Sequence, residues 1–192
     1  MYFTDAIVLG SRPTGEADEL VSCYTRDFGK MIIKARSSKK ITTKQGIFLH
    51  NPSIIRFNFV ISRTGYIFSG IKSIKGHPAI SDNITALAYV MSFLQLCDKI
   101  TYEGQKDEEM WELLCKVLRD ASSVAEKDSS REELWKAEKE WLISLLGILG
   151  LAPQNLNFER VKNARQLDIY IRRLLQNKLE YSVEFFGLKN HV

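Results

Sequence analysis

Residues 4–40 read TDAIVLGSRPTGEADELVSCYTRDFGKMIIKARSSKK, and this stretch decides the fold. Two runs, 3–10 and 19–25, carry β-branched and aromatic residues at the two-residue period of strands. Between them Ser11-Arg12-Pro13-Thr14-Gly15 holds a proline and a glycine that break regular structure. Asp27-Phe28-Gly29 then turns the chain into a third strand over 30–35, with Gly29 supplying a positive φ as hairpin loops require. Lys30, Ile32 and Lys34 alternate there with Met31, Ile33 and Ala35, so the two lysines share one face and the apolar residues pack inward. Lys34, Arg36, Lys39 and Lys40 follow within seven positions.

Beyond a polar interval over 36–46, residues 54–61 alternate again. Ile55, Phe57, Phe59 and Ile61 share one face, with Arg56 and Asn58 on the other. Arg63-Thr64-Gly65 makes the next turn, into a strand over 66–71. Five short strands in about 75 residues suit a small closed barrel, which removes exposed sheet edges. Phe57, Phe59, Tyr66 and Phe68 are expected to fill it.

The pattern then becomes helical. Ser81 or Asp82 is expected to cap a helix to about residue 100, with Ile84, Leu87, Met91 and Leu94 on its apolar stripe. Asp107 caps the next, carrying Met110, Leu113, Leu114, Val117 and Leu118. Ser130-Arg131-Glu132-Glu133 has the capping-box form and opens a third, stopped by Gly150 and Pro153. A last helix is expected from about residue 164. The chain therefore reads as α+β, strands first: a five-stranded barrel domain over 1–77 and an all-helical bundle domain over 78–192.

Charge follows the same division. Residues 1–75 hold twelve Lys/Arg and five Asp/Glu, whereas 76–192 hold fifteen and eighteen. A balance of +7 against −3 points to an anionic partner for the barrel. The cluster Arg26, Lys30, Lys34, Arg36, Lys39, Lys40 and Lys44 can track phosphates without reading sequence.

Catalytic constellations find little support. Gly10-Ser11-Arg12-Pro13-Thr14-Gly15 has the glycine spacing of a phosphate-binding loop, but Glu16-Ala17 stands where lysine and a hydroxyl are needed. Asp27-Phe28-Gly29 matches a kinase triplet in letters alone. Cys23, Cys97 and Cys115 lack metal or disulfide spacing and read as buried small hydrophobes. His50, His77 and His191 are isolated, so no metal site and no cofactor is expected. No leader or membrane-spanning run is read, and the cytoplasm is the expected compartment.

These residues resemble a known family. The segment 4–30, with its strand, Gly15-Glu16-Ala17-Asp18 turn and Thr25-Arg26-Asp27-Phe28-Gly29-Lys30, is similar to the opening of the RecO family of bacterial recombination mediators. The basic run after it resembles that family's Lys/Arg-rich loop. Residues 141–153 (WLISLLGILGLAP) are similar to its helix ending in Leu-x-x-x-Gly-x-x-Pro. The resemblance implies an N-terminal OB-fold and a helical domain, in a non-enzymatic protein without cofactor. It implies binding of single- and double-stranded DNA, strand annealing and help in loading RecA onto DNA coated by single-stranded DNA-binding protein. It also implies a nucleoid-associated location and two protein partners, a RecR-like protein and the acidic C-terminal tail of single-stranded DNA-binding protein.

Taken with the charge, the resemblance makes Arg12, Arg26, Lys30, Lys34, Arg36, Lys39, Lys40, Lys44 and Arg56 the expected DNA contacts. Arg172, Arg173 and Lys178, beside Leu174 and Leu175, are the expected receptor for an acidic peptide tail. The chain is shorter than usual members and lacks the cysteine-bearing insertion that some use to bind zinc. The alternative reading is a protein–protein adaptor that keeps the barrel with little DNA affinity, binding a RecR-like partner or the tail.

Overall fold

A computed structural model describes residues 1–36, 52–127 and 131–150 of the chain. Five strands, β1 (Tyr2–Thr14), β2 (Asp18–Thr25), β3 (Gly29–Ala35), β4 (Ser53–Ser62) and β5 (Gly65–Gly76), close into a barrel. Their order is β1-β2-β3-β5-β4, with β4 returning to β1. All pairings are antiparallel except β3 with β5, which are parallel at Ile33–Tyr66 and Lys34–Ile67. This is the OB-type barrel, and the expected α+β class holds.

Alternation decides the interior. Ala6, Val8, Val21, Cys23, Met31, Ile33, Ile55, Phe57 and Phe59 point inward and are buried, with Tyr66 and Phe68 packed against them. A small barrel needs such bulky filling. Phe57 stacks on Phe68 at 5.9 Å between ring centroids, and Phe59 meets Tyr66 edge-on at 5.6 Å.

Two strand boundaries differ from expectation. The expected loop 11–15 is mostly strand: β1 runs on to Thr14 past a bulge between Val8 and Gly10. Pro13 is tolerated because β1 pairs with β4 over Tyr2–Ile7, and beyond that its ladder is to β2. No described strand pairs with that side of β1 beyond Ile7, so Pro13 breaks no described ladder there. β5 also extends past residue 71 to Gly76, its register with β4 shifting at Arg56/Phe57 and Asn58/Phe59. Gly70, at φ 155°, lies between these irregularities.

The helices are α1 (Pro78–Asp82), α2 (Ile84–Ile100), α3 (Glu108–Glu126) and α4 (Arg131–Ile148). The expected cap at Ser81 or Asp82 gives way to Asn83, whose Oδ1 accepts from the Thr85 and Ala86 N–H groups at 3.1 and 3.0 Å. A short proline-initiated turn occupies the position expected to cap. The buried stripe of α2 is accordingly rotated to Ala86, Val90, Phe93, Leu94 and Cys97, leaving Ile84 78% exposed. Asp107 caps α3 as expected, accepting from the Met110 N–H at 3.1 Å. Met110, Leu113, Leu114, Val117 and Leu118 are all buried. Trp141 on α4 meets Phe93 edge-on and donates its indole N–H to Asp120 at 3.0 Å. Gly150, at φ 65°, follows the last turn of α4.

Strand gives way to helix at residues 76–78, whereas the chain divides into compact units at Met1–Trp141 and Leu142–Val192. Pro153 and the helix expected from residue 164 lie outside the described residues.

Candidate nucleic-acid interface

The outer face of β1–β3 is occupied in part by the helices. α2 packs on β1, and the outward Ile7, Leu9 and Tyr24 are at most 1% exposed. The Tyr24 hydroxyl accepts from the Asp107 N–H at 3.0 Å and lies 3.2 Å from the Asp107 carbonyl oxygen. Burial, the largest influence on it, pushes its pKa up to about 12. Lys30 belongs to this joint. Its ammonium pairs with Asp98 on α2 and donates to the Asp98 and Thr101 carbonyls, while the Ser22 hydroxyl donates to the Asp98 carboxylate.

The other half of that face is open. Arg12 on β1 lies opposite Leu20 on β2, which lies opposite Lys34 on β3. Arg12 and Arg36 are exposed. Lys34 pairs with Asp18 at 3.0 Å, with side chains 41% and 28% exposed. Such an exposed pair contributes at most about 1 kcal/mol, so a phosphate can displace the carboxylate. Arg12, Lys34 and Arg36 therefore share one rim of the barrel, beside the β1–β2 turn over 15–17.

The remaining expected contacts are dispersed. Arg26 is exposed in the β2–β3 turn, at the opposite end of these strands. Arg56 projects from β4 and is held by Asp5 through two charge-assisted bonds of 2.7 Å, which raise its pKa. Lys39, Lys40, Lys44, Arg172, Arg173 and Lys178 lie outside the described residues.

The sequence reading named Arg56 but missed the other cations of the β4–β5 hairpin, Arg63, Lys72 and Lys75. Over residues 53–76 that hairpin carries Arg56, Arg63, Lys72 and Lys75 and no Asp or Glu. The signal lies in the composition, four Lys/Arg without a single Asp or Glu, but it is spread over a longer span than the denser run over 30–44. Among aromatics, the expected core assignment of Phe57 and Phe59 holds at 1% exposure each. Tyr2, Phe3 and Phe28 are instead exposed at 49%, 68% and 38%. Tyr2 stacks on Phe59, and Phe28 meets Phe59 edge-on.

Cys23 and Cys97 are wholly buried, and burial raises both thiols far above the range in which thiolates form. Cys115 is shifted the same way. All three are free, as expected of small buried hydrophobes. No helix among the described residues is long and apolar enough to cross a membrane.

A closed five-stranded OB-type barrel with a basic rim, followed by helices, defines the class of this protein. Residues 1–75 match the family model described as "Recombination protein O N terminal". The chain is similar to the DNA repair protein RecO of Pelotomaculum thermopropionicum, 27% identical over 119 residues, covering 62% of this chain and 46% of that one. The RecO protein of Listeria monocytogenes is 31% identical over 117 residues, or 60% and 46% of the two chains. That of Myxococcus xanthus is 27% identical over 154 residues, or 80% and 60%. Over residues 1–75 the chain is thus similar to the N-terminal domain of RecO proteins. It spans about half the length of the first of these relatives.

Proposed function

We propose that this protein acts in DNA repair by recombination, as a non-catalytic DNA-binding protein that grips the phosphate backbone without reading sequence. The observation that carries this is the basic OB-type barrel of RecO type, whose Arg12, Lys34 and Arg36 share a rim that continues in sequence into Lys39, Lys40 and Lys44. In OB-folds the face of strands 2–3 and the adjoining loops take up oligonucleotides. Here the half of that face left open by α2 is the half with the cations. Arg26 and Arg56 extend the proposed set. Lys30 is omitted, because its ammonium is committed to α2.

The fuller proposal follows the family. The protein binds single- and double-stranded DNA, anneals complementary strands and helps load RecA onto DNA covered by single-stranded DNA-binding protein. Its partners are a RecR-like protein and the acidic tail of single-stranded DNA-binding protein, received near Arg172, Arg173 and Lys178. It works in the bacterial cytoplasm, on the nucleoid.

The test is binding to single-stranded DNA at several salt concentrations. Each neutralised phosphate adds about −0.7 to the slope of log affinity against log salt. Charge reversal of Lys34, Arg36, Lys39 and Lys40 together should weaken binding and flatten that slope. Binding that ignores both salt and these reversals would overturn the proposal. Tight capture of the acidic tail peptide with no DNA binding at low salt would leave the adaptor reading in its place.

A further inference from the structure

The outer face of β1, β4 and β5 is a sheet surface of different character. Phe3 on β1 lies opposite Asn58 on β4, which lies opposite Gly70 on β5. The next outward row is Asp5, Arg56 and Ser73. Phe3 is 68% exposed, so its ring faces are available to a ligand. A side chain built on Gly70 would meet nothing within 4 Å, so the row beside the ring is open. Asp5 holds the Arg56 guanidinium at both Nε and a terminal nitrogen, fixing its plane on the same surface.

Charge on this face favours one kind of occupant. Asp5 is spent on Arg56, and the β4–β5 hairpin contributes no carboxylate of its own. Arg63, Lys72 and Lys75 are exposed, and none forms an ion pair with another described residue. An apolar protein partner would have to desolvate these cations without pairing them. A single-stranded nucleic acid supplies what each group lacks: flat unpaired bases for the phenyl ring and guanidinium plane, and phosphates for the flanking cations.

We propose that this β1–β4–β5 face is a second nucleic-acid surface, on which Phe3 and Arg56 stack unpaired bases while Arg63, Lys72 and Lys75 hold the phosphates. It differs from the rim in selecting single strands, because paired bases keep their faces hidden inside the duplex. It rests on the DNA-binding reading above and assigns part of that binding to this face.

The full chain is tested on a fluorescent oligo-deoxythymidine and on a duplex of the same length. Phe3→Ala should weaken single-strand binding at least about fivefold, as expected for one lost base stack. It should leave duplex binding and the salt slope unchanged, and Phe3→Trp should retain the affinity. Arg63→Glu with Lys72→Glu should weaken both substrates and flatten the slope. These charged positions are exposed, so circular dichroism should show native folding in every variant.

The inference is overturned if Phe3→Ala and the double reversal both bind the oligonucleotide as the parent does while reversal of Lys34 and Arg36 abolishes binding. DNA then uses the rim alone, and the proposed function stands. Equal loss on duplex and single strand in Phe3→Ala would also overturn it. A parent chain that binds neither substrate at low salt removes the proposed function and this inference together.

Discussion

Lys30 on β3 and Asp98 in the last turn of α2 form an ion pair of 3.0 Å, with only 12% of the lysine side chain exposed. The same ammonium donates to the carbonyls of Asp98 and Thr101, at the negative end of the helix dipole. One cation thus neutralises a carboxylate, caps a helix and fixes it to the barrel. Lys30→Met should lower unfolding stability by about 2–4 kcal/mol, because it leaves those acceptors without their donor. Urea denaturation measures this. Single-strand affinity of the folded variant should match the parent, which separates Lys30 from Lys34.

Gly29 adopts φ 68°, and a side-chain carbon there would come within 2.2 Å of the Gln105 carbonyl oxygen. Both the left-handed backbone and this approach exclude larger residues. Gly29→Ala should destabilise by more than about 2 kcal/mol, with a lowered midpoint in thermal melts. Gly15, also at positive φ but with open space around it, serves as the control. Its alanine variant should lose only the backbone contribution, about 1 kcal/mol.

Tyr24 brings its hydroxyl to the segment that caps α3, accepting from Asp107 N–H in a nearly dry site. Tyr24→Phe removes that acceptor. The expected loss is about 1–2 kcal/mol in chemical denaturation, with the fold retained. Titration of the phenol, followed by ultraviolet absorbance, should show one tyrosine ionising near pH 12.

Glu138 on α4 has its carboxyl pKa raised to about 7 by burial. The folded state therefore binds its proton more tightly than the unfolded chain. The associated stability is fully present below the ordinary carboxyl range and is lost as pH rises toward 7. Glu138→Gln should remove that dependence and stabilise the protein at pH 8, by up to about 3 kcal/mol. Unfolding midpoints at pH 5 and pH 8 provide the check. A variant no more stable than the parent at pH 8 would contradict it.

Much of the barrel was legible because alternation leaves so little freedom. With Met31, Ile33, Phe57 and Phe59 on one side of their strands and Lys30, Lys34, Arg56 and Asn58 on the other, inside and outside follow without tertiary knowledge. Asp107 was legible too, since the capping interaction is local. Pro13 was misread because β1 continues as a strand paired with β2 through Thr14, which the local sequence does not reveal. The α2 stripe was misassigned because a five-residue helix ahead of Asn83 sets its start and rotates its buried face.

The candidate site shows the same division. That Lys30 and Lys34 share a face could be read from their spacing. Their different roles could not, because Asp98 lies 68 residues beyond Lys30 and arrives only through packing of α2. Phe3 reads as one more strand residue until its neighbours are known. Its exposure beside Asn58 and Gly70 comes from pairings with β4 and β5, again distant in sequence.

The parallel joint between β3 and β5 consists of Ile33–Tyr66 and Lys34–Ile67 among the described residues. The β1–β2–β3 meander and the β4–β5 hairpin are each held by neighbours in sequence, whereas this joint and the β1–β4 ladder unite them across tens of residues. Loop-closure entropy delays such distant pairings until the local ones exist. Closing the cylinder is then the late event of folding, and its parallel joint is the natural place for native-state amide exchange to find the earliest opening. Lys34 sits on that joint, so a phosphate bound there would act as a clasp on the barrel as well as a ligand.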